Sequence, residues 1–383
     1  MTFELGVCSF GNTPRLADGG RGPTAQALRD VLEAIMVADE VGLDFFGVGE
    51  HHMRAMPLSS LTSVVNAAAA VTHRIRLSTA VTVLSTDDPI RVFQQLATAA
   101  SLAPGRIELV ARRGSSTITF PLFDHDERDY DMLYASKLAL LMAVNAGENV
   151  TWNGPHRNRP LEAVTVFPRP EEPLRIWLGT GGSPDSVYRA VELGLPMLLG
   201  ILGGTPEHWA RYGHAYRAAW AEAGHPAEQA DIAVAVHGFV AESGPQARSA
   251  YLEYEHRMMA EGMAELGRPA PPRADRAAAA EPGGMVRRRP HPPPARAART
   301  YPPDPPDGRR RHAPARLPAR HRTPRHEGAP SGPGRVGEAM SRGRPRGAAT
   351  WRAAVSIGLR GPQVVAAIQS ARQPMASPGR RVG

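Results

Sequence analysis

The chain has 383 residues, and its formal net charge of +8 sums two unlike parts. Residues 1–286 hold 24 Lys and Arg against 33 Asp and Glu, a net of −9, whereas residues 287–383 hold 21 Arg, no Lys and 4 acids, a net of +17. The single cysteine, Cys8, excludes an intrachain disulfide and a cysteine-built zinc framework. No apolar run nears the about 18 residues of a membrane span, and the N-terminus lacks the basic, apolar and small-residue regions of a secretion signal, so a cytoplasmic protein with no membrane partner is expected.

In chain order, short apolar strands alternate with amphipathic helices. FELGVC (3–8) reads as a strand and 24–42 as a helix with Leu28, Val31, Leu32, Ile35 and Ala38 at helical spacing. FFGVGE (45–50) is a second strand followed by a helix over 59–72, and RIRLSTAVTVL (74–84) a third, with a helix opening at Asp88-Pro89. RIELVA (106–111) precedes a helix over 127–145, and LRIWLGT (174–180) one over 184–194. PMLLGI (196–201) precedes one over 206–223, and IAVAVHGFVAE (232–242) one over 245–266. Seven strand–helix units stop one short of a (β/α)8 barrel, the expected fold; an open doubly wound sheet is disfavoured, because no GxGxxG follows the first strand.

In a barrel the chemistry lies where the strands end, which selects four segments. Glu50-His51-His52 offers an imidazole that titrates near neutrality and so suits acid–base work; adjacent histidines on extended backbone face opposite ways, which argues against a shared metal. Small residues and threonines in STAVTVLSTDDPIR (78–91) leave room for a flat ring, although the same residues serve as plain strand and helix cap. ARRGSSTITF (111–120) brings arginines able to pair with phosphate beside a glycine, or a solvated loop. GTGGSPDSV (179–187) turns directly into a helix whose free amides favour an anion, or is a tight turn capped by Ser183.

Together, FFGVGEHH, IRLSTAVTVLSTDDPIRVFQQ, the GRIELVARRGS segment and LGTGGSPDSVYRAVELGLPMLLG resemble the luciferase-like flavin-dependent monooxygenase family over about residues 1–286. The resemblance implies a TIM barrel in which reduced FMN and O2 oxidise a small organic molecule, with a homodimer as the assembly and a separate flavin reductase as supplier. It places His51 near the reactive face of the flavin, and Ala80, Val81 and Thr82 beside the ring. It puts Arg113 and Gly114 in the flavin-contacting loop and Gly182, Ser183 and Ser186 at the FMN phosphate. A deazaflavin (F420-type) reductase or dehydrogenase is the alternative within the superfamily. Arg112 departs from the family pattern, which has a small residue there; a long cation either crowds the flavin ring or pairs with its anionic form.

After Val286 the resemblance ends. The remainder is rich in Arg, Pro, Ala and Gly, with 17 Pro and nine Ile, Leu, Val or Phe among 97 residues, too few for a core. It is expected to be a disordered basic tail, without a recognisable eighth strand, which leaves the first and seventh strands with open edges. Read one base out of frame with wobble bases free, Arg287–Pro290 gives VGDP, 301–307 gives ILRTHQM and 320–328 gives GTVPHATKV, all like the missing family segments and in one frame. This points to a frameshift near codon 287. A competing reading is an inactive barrel fragment whose tail binds polyanions. With only Tyr301 and Trp351 available for base stacking, no specific nucleic-acid partner is expected.

Overall fold

The computed structural model describes residues 3–114, 118–155, 157–201, 206–239, 243–265 and 351–357. Strand β1 (Phe3–Ser9) leads to α1 (Thr24–Glu40) and β2 (Phe45–Val48) to α2 (Leu61–Val71). Next come β3 (Arg76–Thr79), β4 (Thr82–Val83), α3 (Pro89–Leu102) and β5 (Ile107–Arg112). The third predicted strand is thus interrupted: after Thr79 the chain leaves its ladder, the Ala80–Val81 peptide is cis, and Ala80 N–H donates across to Val48 O at 2.6 Å. Asp88 caps α3 as expected, accepting from Arg91 N–H at 2.9 Å.

A four-residue α4 (Thr119–Leu122) and a 3-10 turn (Glu127–Asp129) precede α5 (Tyr130–Ala146). A small antiparallel hairpin, β6 (Val150–Trp152) with β7 (Leu161–Val164), follows, and no strand was expected there. The alternation resumes with β8 (Arg175–Thr180), α6 (Pro184–Glu192), β9 (Met197–Ile201), α7 (Pro206–Glu222), β10 (Ile232–Gly238) and α8 (Gly244–Glu265).

The expectation about the C-terminal segment is corrected at one place. Trp351–Ile357 forms a strand, β11, that pairs in parallel with β1 (Phe3↔Trp351 to Cys8↔Ser356) and with β10 (Ile232↔Trp351 to Gly238↔Ile357). The edges of the first and seventh strands are therefore covered. WRAAVSI carries Trp351, Ala353, Val355 and Ile357 at every second position, a strand-period signal hidden by the arginine- and proline-rich composition around it. Among the described residues, β11 belongs to the same compact unit as the strands and helices up to residue 265. The rest of the presumed tail, 287–350 and 358–383, lies outside the described residues.

The parallel pairings run β3-β2-β1-β11-β10-β9-β8-β5, and β3 meets β5 again through Leu77↔Ile107, so the ring closes. With β3 and β4 as one interrupted strand, eight positions surround the lumen. Alternation then sorts side chains by face. On β5, Ile107, Leu109 and Ala111 belong to the large outer core beneath the helices, which places Glu108, Val110 and Arg112 on the lumen face.

The lumen is layered. At its base Arg76 pairs with Glu4 at 2.5 Å, Arg76 Nε lies 3.7 Å from Glu108, and Trp177 Nε1–H donates to Glu108 at 3.1 Å. Above these, Val110, Trp177, Leu198 and Ala233 pack with Val81 and Ala235. Arg112, Gly179 and Gly200 follow one strand repeat higher, toward the carboxyl rim.

Candidate active site at the carboxyl ends of the strands

The rim collects all four segments singled out in the sequence. After β2, Glu50 is buried and its two oxygens are divided: one meets His52 Nε2 at 2.8 Å, the other accepts Val83 N–H at 2.8 Å. Glu50 therefore ties the end of β2 to β4. Its bridging role could not be read from the sequence, because Val83 is reached only through the fold.

The two histidines part company as extended backbone dictates. His52 takes Glu50 and the edge of the Phe123 ring, while His51 stacks edge-on against Phe10 with centroids 4.8 Å apart. Burial, with the neighbouring His52 adding to it, pushes the His51 imidazole down to about 4. At neutral pH it is an uncharged ring that can accept or donate one hydrogen bond. Among the described residues no three His, Cys, Asp or Glu side chains gather as metal ligands.

Beside this lie Ala80, Val81 and Thr82. Ala80 packs with Cys8 and Phe45, Val81 joins the lumen layer, and Thr82 pairs with Ala111 in the β4–β5 ladder. The Thr82 hydroxyl, on the outer face with its ladder partner Ala111, is buried without a hydrogen-bond partner among the described residues, an arrangement that costs free energy.

The arginines divide in the same way as the histidines. Arg113 turns to Asp131 and over the Tyr130 ring, 5.2 Å from its centroid, and its carbonyl accepts from Ser85 at 2.7 Å. Gly114 follows with φ +94, and its carbonyl accepts from the Tyr130 hydroxyl. Arg112 instead extends over the glycines of the neighbouring strands. A Cβ at Gly181 would lie 2.7 Å from its Nη2, and one at Gly200 3.6 Å from its Nη1. Gly179 is equally close to it: a Cβ there would meet Arg112 Cβ at 3.3 Å and Val81 at 3.3 Å.

The β8–α6 turn completes the rim. Gly182 needs its φ of +85, and a Cβ there would strike Trp209 of α7 at 2.7 Å; its N–H donates to Thr180 Oγ1 at 3.1 Å. Ser183 caps α6 through Ser186 N–H, and the two serine hydroxyls lie 2.7 Å apart. The helix start thus already holds part of its own polar groups, with two hydroxyls that can rotate toward an anion.

Two further side chains escaped sequence reasoning. Lys137 of α5 is buried and donates to Ser85 O at 2.9 Å, with His125 Nε2 at 3.1 Å; burial pushes its ammonium down to about 8 against the pull of Asp87 and Asp88. Asp87 is pushed up to about 6, chiefly by burial and further by Glu50. Residues 115–117 and His156 lie outside the described residues.

Fold and site together define a parallel (β/α)8 barrel with a polar, glycine-lined carboxyl rim. The chain belongs to the luciferase-like monooxygenase family, whose model matches residues 5–321, past the point where the family pattern fades to the eye. Members of this superfamily are oxidoreductases that include FMN-bound monooxygenases and F420-dependent enzymes. An F420-dependent glucose-6-phosphate dehydrogenase of Beutenbergia cavernae is 31% identical over 176 residues, 44% of this chain and 51% of that protein. The chain spans about half the length of the curated relatives it matches. Among solved structures, the monooxygenase RslO1 of Streptomyces bottropensis superposes with a TM-score of 0.59 at 24% identity, covering 67% of this chain and 77% of that one. The oxygenating constituent of 3,6-diketocamphane monooxygenase from Pseudomonas putida, in complex with FMN, gives 0.56 at 17% identity, covering 70% and 81%. No helix among the described residues is long and apolar enough to cross a membrane.

Proposed function

We propose that the chain is an oxidoreductase that uses reduced FMN and O2 to oxidise a small organic substrate, working as a homodimer supplied by a separate flavin reductase in the cytoplasm. The observation that carries this reading is a rim whose backbone is opened by Gly179, Gly181 and Gly200, with the Arg112 guanidinium extended over it. Backbone there is bare enough for a flat ring to approach. Ala80, Val81, Thr82 and Gly114 would line the ring, Arg113 would face its polar edge, and Gly182, Ser183 and Ser186 would receive the phosphate at the start of α6. FMN would supply the two-electron chemistry with O2 when bound. His51, uncharged and shielded by Phe10, would take or return a proton at its exposed nitrogen and keep bulk water from the reacting atoms.

A second reading has the 31% identity to an F420-dependent dehydrogenase in its favour: hydride transfer to a deazaflavin, without O2. One experiment separates the two. The chain is mixed with FMN, a reductant and air, and in parallel with F420 under argon, each with a panel of small ketones and alcohols. Substrate-dependent O2 uptake with FMN supports the first reading; F420 reduction without O2 uptake replaces it with the second. Neither reaction, with no quenching of flavin fluorescence by the chain, removes both.

A further inference from the structure

We propose that Arg112 is a specificity-determining residue that pairs with the carboxylate of an apolar organic acid at the mouth of the barrel. The inference deepens the reading above, because it takes this rim as the place where substrate binds. It starts from alternation along β5: with Ile107, Leu109 and Ala111 in the outer core, Arg112 must project into the lumen above Val110. The neighbouring strands make way for it. Gly179, Gly181 and Gly200 all lie within reach of its side chain, and any side chain at Gly181 would occupy the space of the guanidinium.

Charge is the second element. Arg113, one residue on, has Asp131 for a partner, while the Arg112 guanidinium forms no ion pair or hydrogen bond with another described residue. The groups around it are Tyr130, Tyr134 and the like charge of Arg113. Both phenols direct their protons elsewhere, to the carbonyls of Gly114 and Ala111. Partial burial pulls the half-buried Arg112 guanidinium below its ordinary range, the expected result for a partly desolvated cation without a counter-ion. A planar five-donor fork in that condition is matched by a two-oxygen anion.

The floor decides the rest of the ligand. Beneath Arg112 the lumen is lined by Val81, Val110, Trp177, Leu198 and Ala233, which offers apolar contact and no second charge. A molecule with a carboxylate head and a hydrocarbon body satisfies both surfaces at once. A phosphate satisfies only the first, and the competing claim of a flavin on Arg112 is separated by the FMN outcome of the test.

The test uses the full chain without flavin, titrated calorimetrically with benzoate and octanoate and with their neutral counterparts benzamide and octanamide. At least one acid is expected to bind about tenfold or more tightly than its amide. That preference should vanish in Arg112→Gln and return in part in Arg112→Lys. Arg112→Gln is expected to melt no lower than the unaltered chain, since it removes a cation without a partner. Equal binding of acid and amide, or a preference that survives Arg112→Gln, overturns the proposal. So does binding of none of the four probes. If Arg112→Gln abolishes FMN binding and leaves the acid–amide ratio unchanged, the cation serves the cofactor and the proposal falls. An acid preference that depends on Arg112 in a chain that binds no flavin sustains it and removes the FMN reading instead.

Discussion

At the scale of single residues, His51 is the rim group whose titration is moved out of the neutral range. An unfolded histidine takes up its proton near pH 6.5, and in the folded chain burial moves that event to about 4. Between these values the unfolded state holds more protons, so this contribution to stability is complete above pH 6.5 and is lost as the pH falls toward 4. Asp87, pushed up to about 6, acts in the opposite sense over much of the same range, which makes a difference measurement necessary. The melting temperature of the unaltered chain is expected to fall more between pH 7 and pH 5 than that of His51→Gln. Parallel curves for the two proteins would mean that His51 is not held neutral. Gly182 gives a second test at this scale. Gly182→Ala combines an unfavourable φ of +85 with a contact of 2.7 Å on Trp209 and should cost about 1–3 kcal/mol in denaturant unfolding. Gly147→Ala, where nothing lies within 4 Å, should stay within about 0.5 kcal/mol. His51 and the glycines were legible in the sequence, since each residue type has few other uses at a strand end. Glu50 and Lys137 were not, because a carboxylate or an ammonium in a sequence is nearly always solvated.

At the scale of elements, connections between successive units rest on buried side chains that hold backbone groups. Asp39, at the end of α1, accepts the N–H groups of His73, Arg74 and Ile75 at 2.7–2.9 Å, fixing the entry to β3. Burial alone would raise its carboxyl, but those N–H groups and the Arg74 charge hold it below the usual range. Arg106 performs the complementary task, donating to carbonyls of Ala69, Thr72 and Ile75 at the end of α2. Asp39→Ala should therefore lower stability by about 3 kcal/mol, read as a shift of the urea midpoint with an unchanged slope. A change under about 0.5 kcal/mol would show that water replaces the carboxylate freely. The order and type of the first seven strand–helix units were readable from periodicity. The break after Thr79 was not, because RIRLSTAVTVL is a uniform strand by pattern, whereas β3 pairs with both β2 and β5 and β4 with β5 alone.

At the scale of the whole molecule, β11 decides whether the barrel has edges. It gives β1 and β10 a shared neighbour along most of their length, and unpaired parallel strands of this kind invite intermolecular pairing. A chain ending at residue 346 is expected to lose its cooperative melt and to scatter light on warming. A melt unchanged by that truncation would instead favour the reading of residues 287–383 as an out-of-frame appendage. The sequence by itself determined the alternation of strands and helices, the barrel class and the four rim segments, because each is encoded by local period, turn chemistry or motif. Only the tertiary structure decided which of two adjacent histidines pairs with Glu50 and which of two adjacent arginines faces the lumen, that Glu50 bridges two strand ends, and that a strand from the arginine-rich segment closes the ring. Those outcomes depend on contacts between residues far apart in the chain, and no local pattern records them.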